Sequence, residues 1–173
     1  MSTTLIDAFW FFGGNRERGI GRYLQYYFQH EFSVPTEERL WLVPKTAPDR
    51  QVNELLSLFG GKSLVFDFTE TKPRQQELLR RYLDQKEVLE VFLSSPFERP
   101  WSLLDFQRLF TEMKIPMTAI VFDVLPLQFA EQILRTWSEE DRHLYQKRLS
   151  KLQAVESILT ISPHTQRQLN ELV

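Results

Sequence analysis

Residues 4–32 read TLIDAFWFFGGNRERGIGRYLQYYFQHEF, and their order decides the fold. The apolar run TLIDAFWFF (4–12) predicts a buried strand. A glycine-rich polar loop follows it. Ile20, Leu24, Tyr27 or Phe28, and Phe32 then recur at helical spacing and predict an amphipathic helix. Strand, loop and helix in that order begin a parallel βαβ unit. Four of the chain's six glycines, Gly13, Gly14, Gly19 and Gly21, crowd into this one loop. Three readings compete for them: a tight turn, a phosphate cradle, or the rim of a larger site.

The alternation continues along the chain. RLWLVP (39–44), KSLVFDF (62–68), LEVFLSSP (89–96), PMTAIVFDVLP (116–126) and SILTIS (157–162) predict strands. Between them, QVNELLSLFGG (51–61), the charged run opened by Pro73, SLLDFQRLFTEMK (102–114) and SEEDRHLYQKRLSKLQAVE (138–156) predict helices, and PHTQRQLNELV (163–173) adds one more. Ser102 reads as a helix cap, with Asp105 in capping-box position. The expectation is one α/β domain over residues 1–173, an open, mostly parallel Rossmann-like sheet with helices on both faces. Its last helical pattern still runs at Val173, as in a piece of something larger.

Composition narrows the partners. The 173 residues carry a net charge of −2, which gives no general attraction to nucleic acid. With no cysteine there is no disulfide, thiolate metal site or cysteine nucleophile, which suits a reducing cytoplasm. His30, His143 and His164 have no metal-ligand spacing, so no metal is expected. No apolar run approaches the ~20 residues of a membrane span, and MSTTLIDAFW lacks a signal peptide's basic start. A cytoplasmic domain follows as the expectation. The basic stretch RHLYQKRLSK (142–151) reads as a solvated helix face, with peripheral contact at an anionic membrane as its alternative.

Open parallel sheets bind ligands beyond the carboxyl ends of their strands, so the loops there hold the candidates. The glycine loop, with Arg16, Arg18 and Arg22, has the place and charge to meet an anion at a helix start. It matches neither standard phosphate motif. GNRERGIG has Ile-Gly where a P-loop needs Lys-Ser/Thr, and GIGRYL has Leu24 at the third glycine of GxGxxG. Asp123 ends the most continuously apolar strand, either to bind a sugar hydroxyl or to cap the next turn; Asp67 has the same geometry. Trp101 and Trp137 could stack on sugar rings or simply pack, and His164 sits at a helix start. The E-x7-E pairs Glu90/Glu98 and Glu131/Glu139 come cheaply in a Glu-rich chain and count as no site.

RGIGRYLQYYFQHEF after the first strand, AIVFDVLPLQF at the fifth and RLSKLQAVESILTISPHTQRQLNEL at the end together resemble a known family. They are similar to the N-terminal domain of GT-B retaining glycosyltransferases of family four, glycosyl transferase group 1, along nearly the whole chain. The resemblance implies half of a two-domain enzyme that moves a sugar from a nucleotide-sugar to a saccharide or lipid-linked glycan. It needs no cofactor or metal. The N-terminal domain receives the acceptor, and a C-terminal domain, absent from this chain, grips the donor. The donor diphosphate loop then maps to Gly13, Gly14, Arg18, Gly19, Gly21 and Arg22. Asp123 and Asp67 fall on the acceptor side, with Asp123 the catalytic candidate. Where the family often carries His-Asp, this chain has Phe122-Asp123. That departure keeps a second expectation open, a non-catalytic GT-B-like binding or scaffolding module. A free-standing nucleotide or phosphate binder of flavodoxin-like shape is the third.

Overall fold

The structure, a computed structural model, describes residues 3–14, 16–97, 101–124, 126 and 131–172. Six parallel strands, β1 (Thr3–Asp7), β2 (Arg39–Pro44), β3 (Lys62–Phe66), β4 (Val88–Leu93), β5 (Met117–Val121) and β6 (Ser157–Thr160), form one open sheet in the order β3-β2-β1-β4-β5-β6. Seven helices are described: α1 (Phe9–Phe12), α2 (Gly19–His30), α3 (Asp49–Phe59), α4 (Lys72–Lys86), α5 (Gln107–Glu112), α6 (Glu139–Lys151) and α7 (Pro163–Leu172). This is the expected Rossmann-like α/β sheet.

Because side chains alternate across a strand, Leu5 and Ile6 of β1 enter different cores. Ile6, Trp41, Phe92 and Ile120 pack against α1, α2 and α3 through Trp10, Leu24, Phe28 and Phe59. Leu5, Leu42, Val91 and Ala119 pack the opposite way, with Leu79 and Leu83 of α4 and Phe110 of α5. Strand order reverses after β3, and the two cores place α1, α2 and α3 on one face and α4 and α5 on the other, as right-handed crossovers require. Both faces are therefore covered, which explains why β2 is buried at every residue.

Three local departures from the sequence reading have physical causes. Residues 4–12 were expected as one strand, but β1 ends at Asp7 and Phe9–Phe12 turn into α1. That turn sends Trp10 onto Phe28 (ring centroids 6.2 Å apart) and Phe11 onto Phe59 (6.0 Å), so aromatic burial outweighs local β-propensity. Ser102 does cap, accepting from the Leu104 amide at 3.1 Å, but the turn it starts is a 3-10 helix, Leu103–Phe106, before α5. Asp105 does not complete a capping box, because its carboxylate is taken by Arg148. At the end of α3, Gly60 takes φ 67° and caps the helix, while the Arg39 guanidinium donates to the Phe59 and Phe32 carbonyls at 2.8 and 3.2 Å.

Candidate functional site

Strand order reverses between β1 and β4, so the loops after those strands leave in opposite directions and open a crevice. Beside it, at the carboxyl ends of β4 and β5, lies a cavity of about 440 Å³. Arg18 and Ile20 reach it from the start of α2, Ser95 to Phe97 follow β4, and Phe122 and Asp123 follow β5. Trp137, Asp141, Tyr145 and Arg148 close it from α6 and the segment before it.

A buried ion pair helps hold the α6 wall. Arg148, 1% exposed, donates to both oxygens of Asp105 at 3.2 and 2.9 Å. Burial pushes the Asp105 carboxyl up, yet hydrogen bonding and charge from Arg148, with the Lys151 charge, outweigh it and hold it below the usual carboxylate range. Ser138 caps α6 by accepting from the Asp141 amide at 3.1 Å, and three acids open the helix while Arg148 and Lys151 close it. Tyr145 is clamped between Phe97 (4.9 Å) and Trp137 (5.5 Å, edge-on). Its hydroxyl is buried with no hydrogen-bond partner among the described residues, and burial followed by the Asp123 charge pushes the phenol up, so it stays protonated. Trp137 therefore lines the cavity, whereas Trp101 stacks on Phe68 at 5.0 Å in the core.

The predicted residues divide. Arg18 and Asp123 share the cavity. Gly19 starts α2 at its rim, and Gly21 is buried in the first turn of that helix. Arg22 is exposed on α2 and does not line the cavity. Gly13 and Gly14 are exposed in a loop strapped to α3, where Arg16 pairs with Glu54, its Nη1 donating to Oε2 at 3.0 Å, and lies over the Phe11 ring. Neither requires glycine on the protein's own account: a Cβ at Gly14 or Gly19 would meet nothing within 4 Å, and at Gly13 only the Phe9 carbonyl at 3.6 Å.

Asp67 stands apart. Two strands, β2 and β1, separate it from β4, and it accepts from Lys45 at 2.8 Å and from the Thr69 amide and hydroxyl at 2.9 and 2.6 Å. Those bonds hold its carboxyl down at about 2 and make it the anchor of its own turn. His164 is exposed in the first turn of α7, whose Thr165 hydroxyl instead donates to the Phe122 carbonyl at 3.2 Å. Glu98 lies outside the described residues, and Glu90 accepts from Thr118 within the sheet. Among the described residues no cluster of three or more metal-ligating side chains occurs, and no helix is long and apolar enough to cross a membrane.

Sequence reasoning passed over one residue. Asp7, the sole charge in TLIDAFWFF, ends β1 with no exposure at all. Its Oδ2 accepts from the Ser94 amide at 3.0 Å, and its Oδ1 from the Ser94 and Ser95 hydroxyls at 2.5 and 3.2 Å. A charge placed where burial was predicted was the signal that could have found it. Comparison with protein-family models, curated proteins and solved structures returns no match.

Proposed function

We propose that this chain is the acceptor-side domain of a GT-B retaining glycosyltransferase. One observation carries the reading. The three sequence segments behind the resemblance, far apart in the chain, meet around one cavity: Arg18 and Ile20 of the first, Phe122 and Asp123 of the second, Arg148 of the third. Thr165, also of the third, is bonded to Phe122. Aromatic walls with carboxylates at the rim suit a sugar ring, which offers apolar faces and donating hydroxyls. In this reading Asp123 accepts from an acceptor hydroxyl. The amides at the start of α2, with Arg18, face the departing diphosphate of a nucleotide-sugar gripped mainly by a second Rossmann-like domain. Rate enhancement is then electrostatic, from donors set in advance around the developing charge.

Amide NMR of the chain titrated with a panel of methyl glycosides tests this. Shifts should gather at Phe97, Asp123 and Trp137, and Asp123→Asn or Trp137→Ala should weaken binding about tenfold while the amide spectrum remains that of the folded chain. Nucleotide-sugars should bind more weakly than micromolar; tighter binding by this domain alone contradicts the division of labour.

A second reading, a non-catalytic glycan-binding module, has its own observation. Phe122 stands where the family often has His, and its ring packs edge-on against Tyr23 at 5.5 Å, so it contributes no titrating group. Glycan binding without any sugar transfer by the complete protein would favour this module over the enzyme.

A further inference from the structure

We propose that Asp7 is a positioning residue that sets, through Ser95, the hydrogen-bonding sense of the cavity wall, whichever ligand the cavity takes. Asp7 closes β1 at the point where strand order reverses, and its carboxylate ties the end of β1 to the residues that follow β4. Ser95 is the link. It is 5% exposed, bonded to Asp7 on one side, and part of the cavity lining on the other.

The arrangement has two hydrogen-bonded states. The Ser94 hydroxyl has one proton and two acceptors in reach, Asp7 Oδ1 at 2.5 Å and the Asp7 carbonyl at 2.9 Å. With Asp7 ionised, both serine hydroxyls donate to Oδ1, and Ser95 turns its oxygen lone pairs toward the cavity. With Asp7 protonated, the carboxyl donates to Ser94 Oγ, whose own proton swings to the Asp7 carbonyl. No heavy atom needs to move. Ser95 then faces a neutral group instead of an anion and can give its proton to the cavity. Ligand hydroxyls that donate to Ser95 are favoured in the first state, and ligand acceptors in the second.

The switch falls near pH 6. Burial pushes the Asp7 carboxyl up to about 6, against the opposing pull of the Ser94 and Ser95 hydrogen bonds. Among the described residues no charged side chain contributes to that shift. Its register neighbour on β2 is Leu42, β4 ends at Leu93 with Ser94 just beyond it, and α1 offers Phe9, Trp10 and Phe11. The charged groups lining the cavity beyond Ser95 are Arg18, Asp123, Asp141 and Arg148.

A pH titration of the 173-residue chain by NMR tests this without any ligand, so its outcome is independent of the glycan reading. The Asp7 carboxyl carbon and the Ser94 and Ser95 amides should share one midpoint near pH 6. Ser95→Ala should raise that midpoint by about half a pH unit, because the ionised form loses a donor. Asp7→Asn should abolish the inflection at both amides. An Asp7 carbon titrating near pH 4, or a midpoint unmoved by Ser95→Ala, overturns the proposal. Both of those readouts stand even if the Asp7 variant does not fold.

Discussion

A Cβ added at Gly60 would come within 2.8 Å of Thr36, and one added at Gly61 within 2.7 Å of the Arg39 carbonyl, at φ values of 67° and 90°. Those two glycines are required by the fold, whereas Gly13, Gly14 and Gly19 are not. Gly60→Val should therefore cost 2 kcal/mol or more, roughly the sum of a left-handed backbone and a clash. Gly14→Val should change stability by less than about 0.5 kcal/mol in urea denaturation. If Gly14→Val destabilised the chain as much as Gly60→Val, the first cluster would be a structural turn after all. Asp7 supports a second residue-scale prediction. Its folded pKa of about 6 lies above the unfolded 3.8, so the folded chain binds more protons between those values. Stability contributed by Asp7 is greatest below pH 4 and falls as pH rises through 6, by up to about 3 kcal/mol. Asp7→Asn should flatten the dependence of melting temperature on pH across that window.

At the scale of elements, the Arg148–Asp105 pair helps hold α6. Asp105→Ala would leave the Arg148 guanidinium buried at 1% exposure without its carboxylate. A loss of about 3 kcal/mol is expected, measured as a lower urea midpoint. Adding Arg148→Met to that variant should recover much of it, since the buried guanidinium is then removed as well. Elements also show how far local signals reach. The strand RLWLVP appears with the limits the pattern implied, and α4 starts at Lys72, one residue before the proline read as its opening. Ser138 and Ser162 each accept from an amide three residues on, the usual geometry of a helix cap. Misreadings arose where a distant partner outbid a local one. Asp105 fits a capping box until Arg148, 43 residues later, takes its carboxylate. Phe9–Phe12 fits a strand until the aromatic core on the α2 and α3 face captures Trp10 and Phe11.

Across the whole molecule, periodicity settled the architecture. Alternating apolar strands and amphipathic helices leave a parallel sheet with two covered faces as the economical burial of both. Placing candidates at the carboxyl ends of strands also followed from sequence, and Arg18 and Asp123 do reach the cavity. Strand order could not be read along the chain, because it depends on which strands pair after the chain crosses back over β1 and β2. That order sets Asp67 at the far half of the sheet from Asp123, although each ends a strand in nearly the same words, VFDF and VFDV. It also joins Asp7 to Ser94, 87 residues apart, and so turns an anomalous charge in an apolar run into a buried hydrogen-bond switch. Sequence alone determined which segments fold and at which of their ends the candidate loops gather, because propensity and hydrophobic period act over a few residues. Only tertiary structure decided which of those ends share a cavity and which carboxyl is buried, because pairing and desolvation belong to residues the chain keeps far apart.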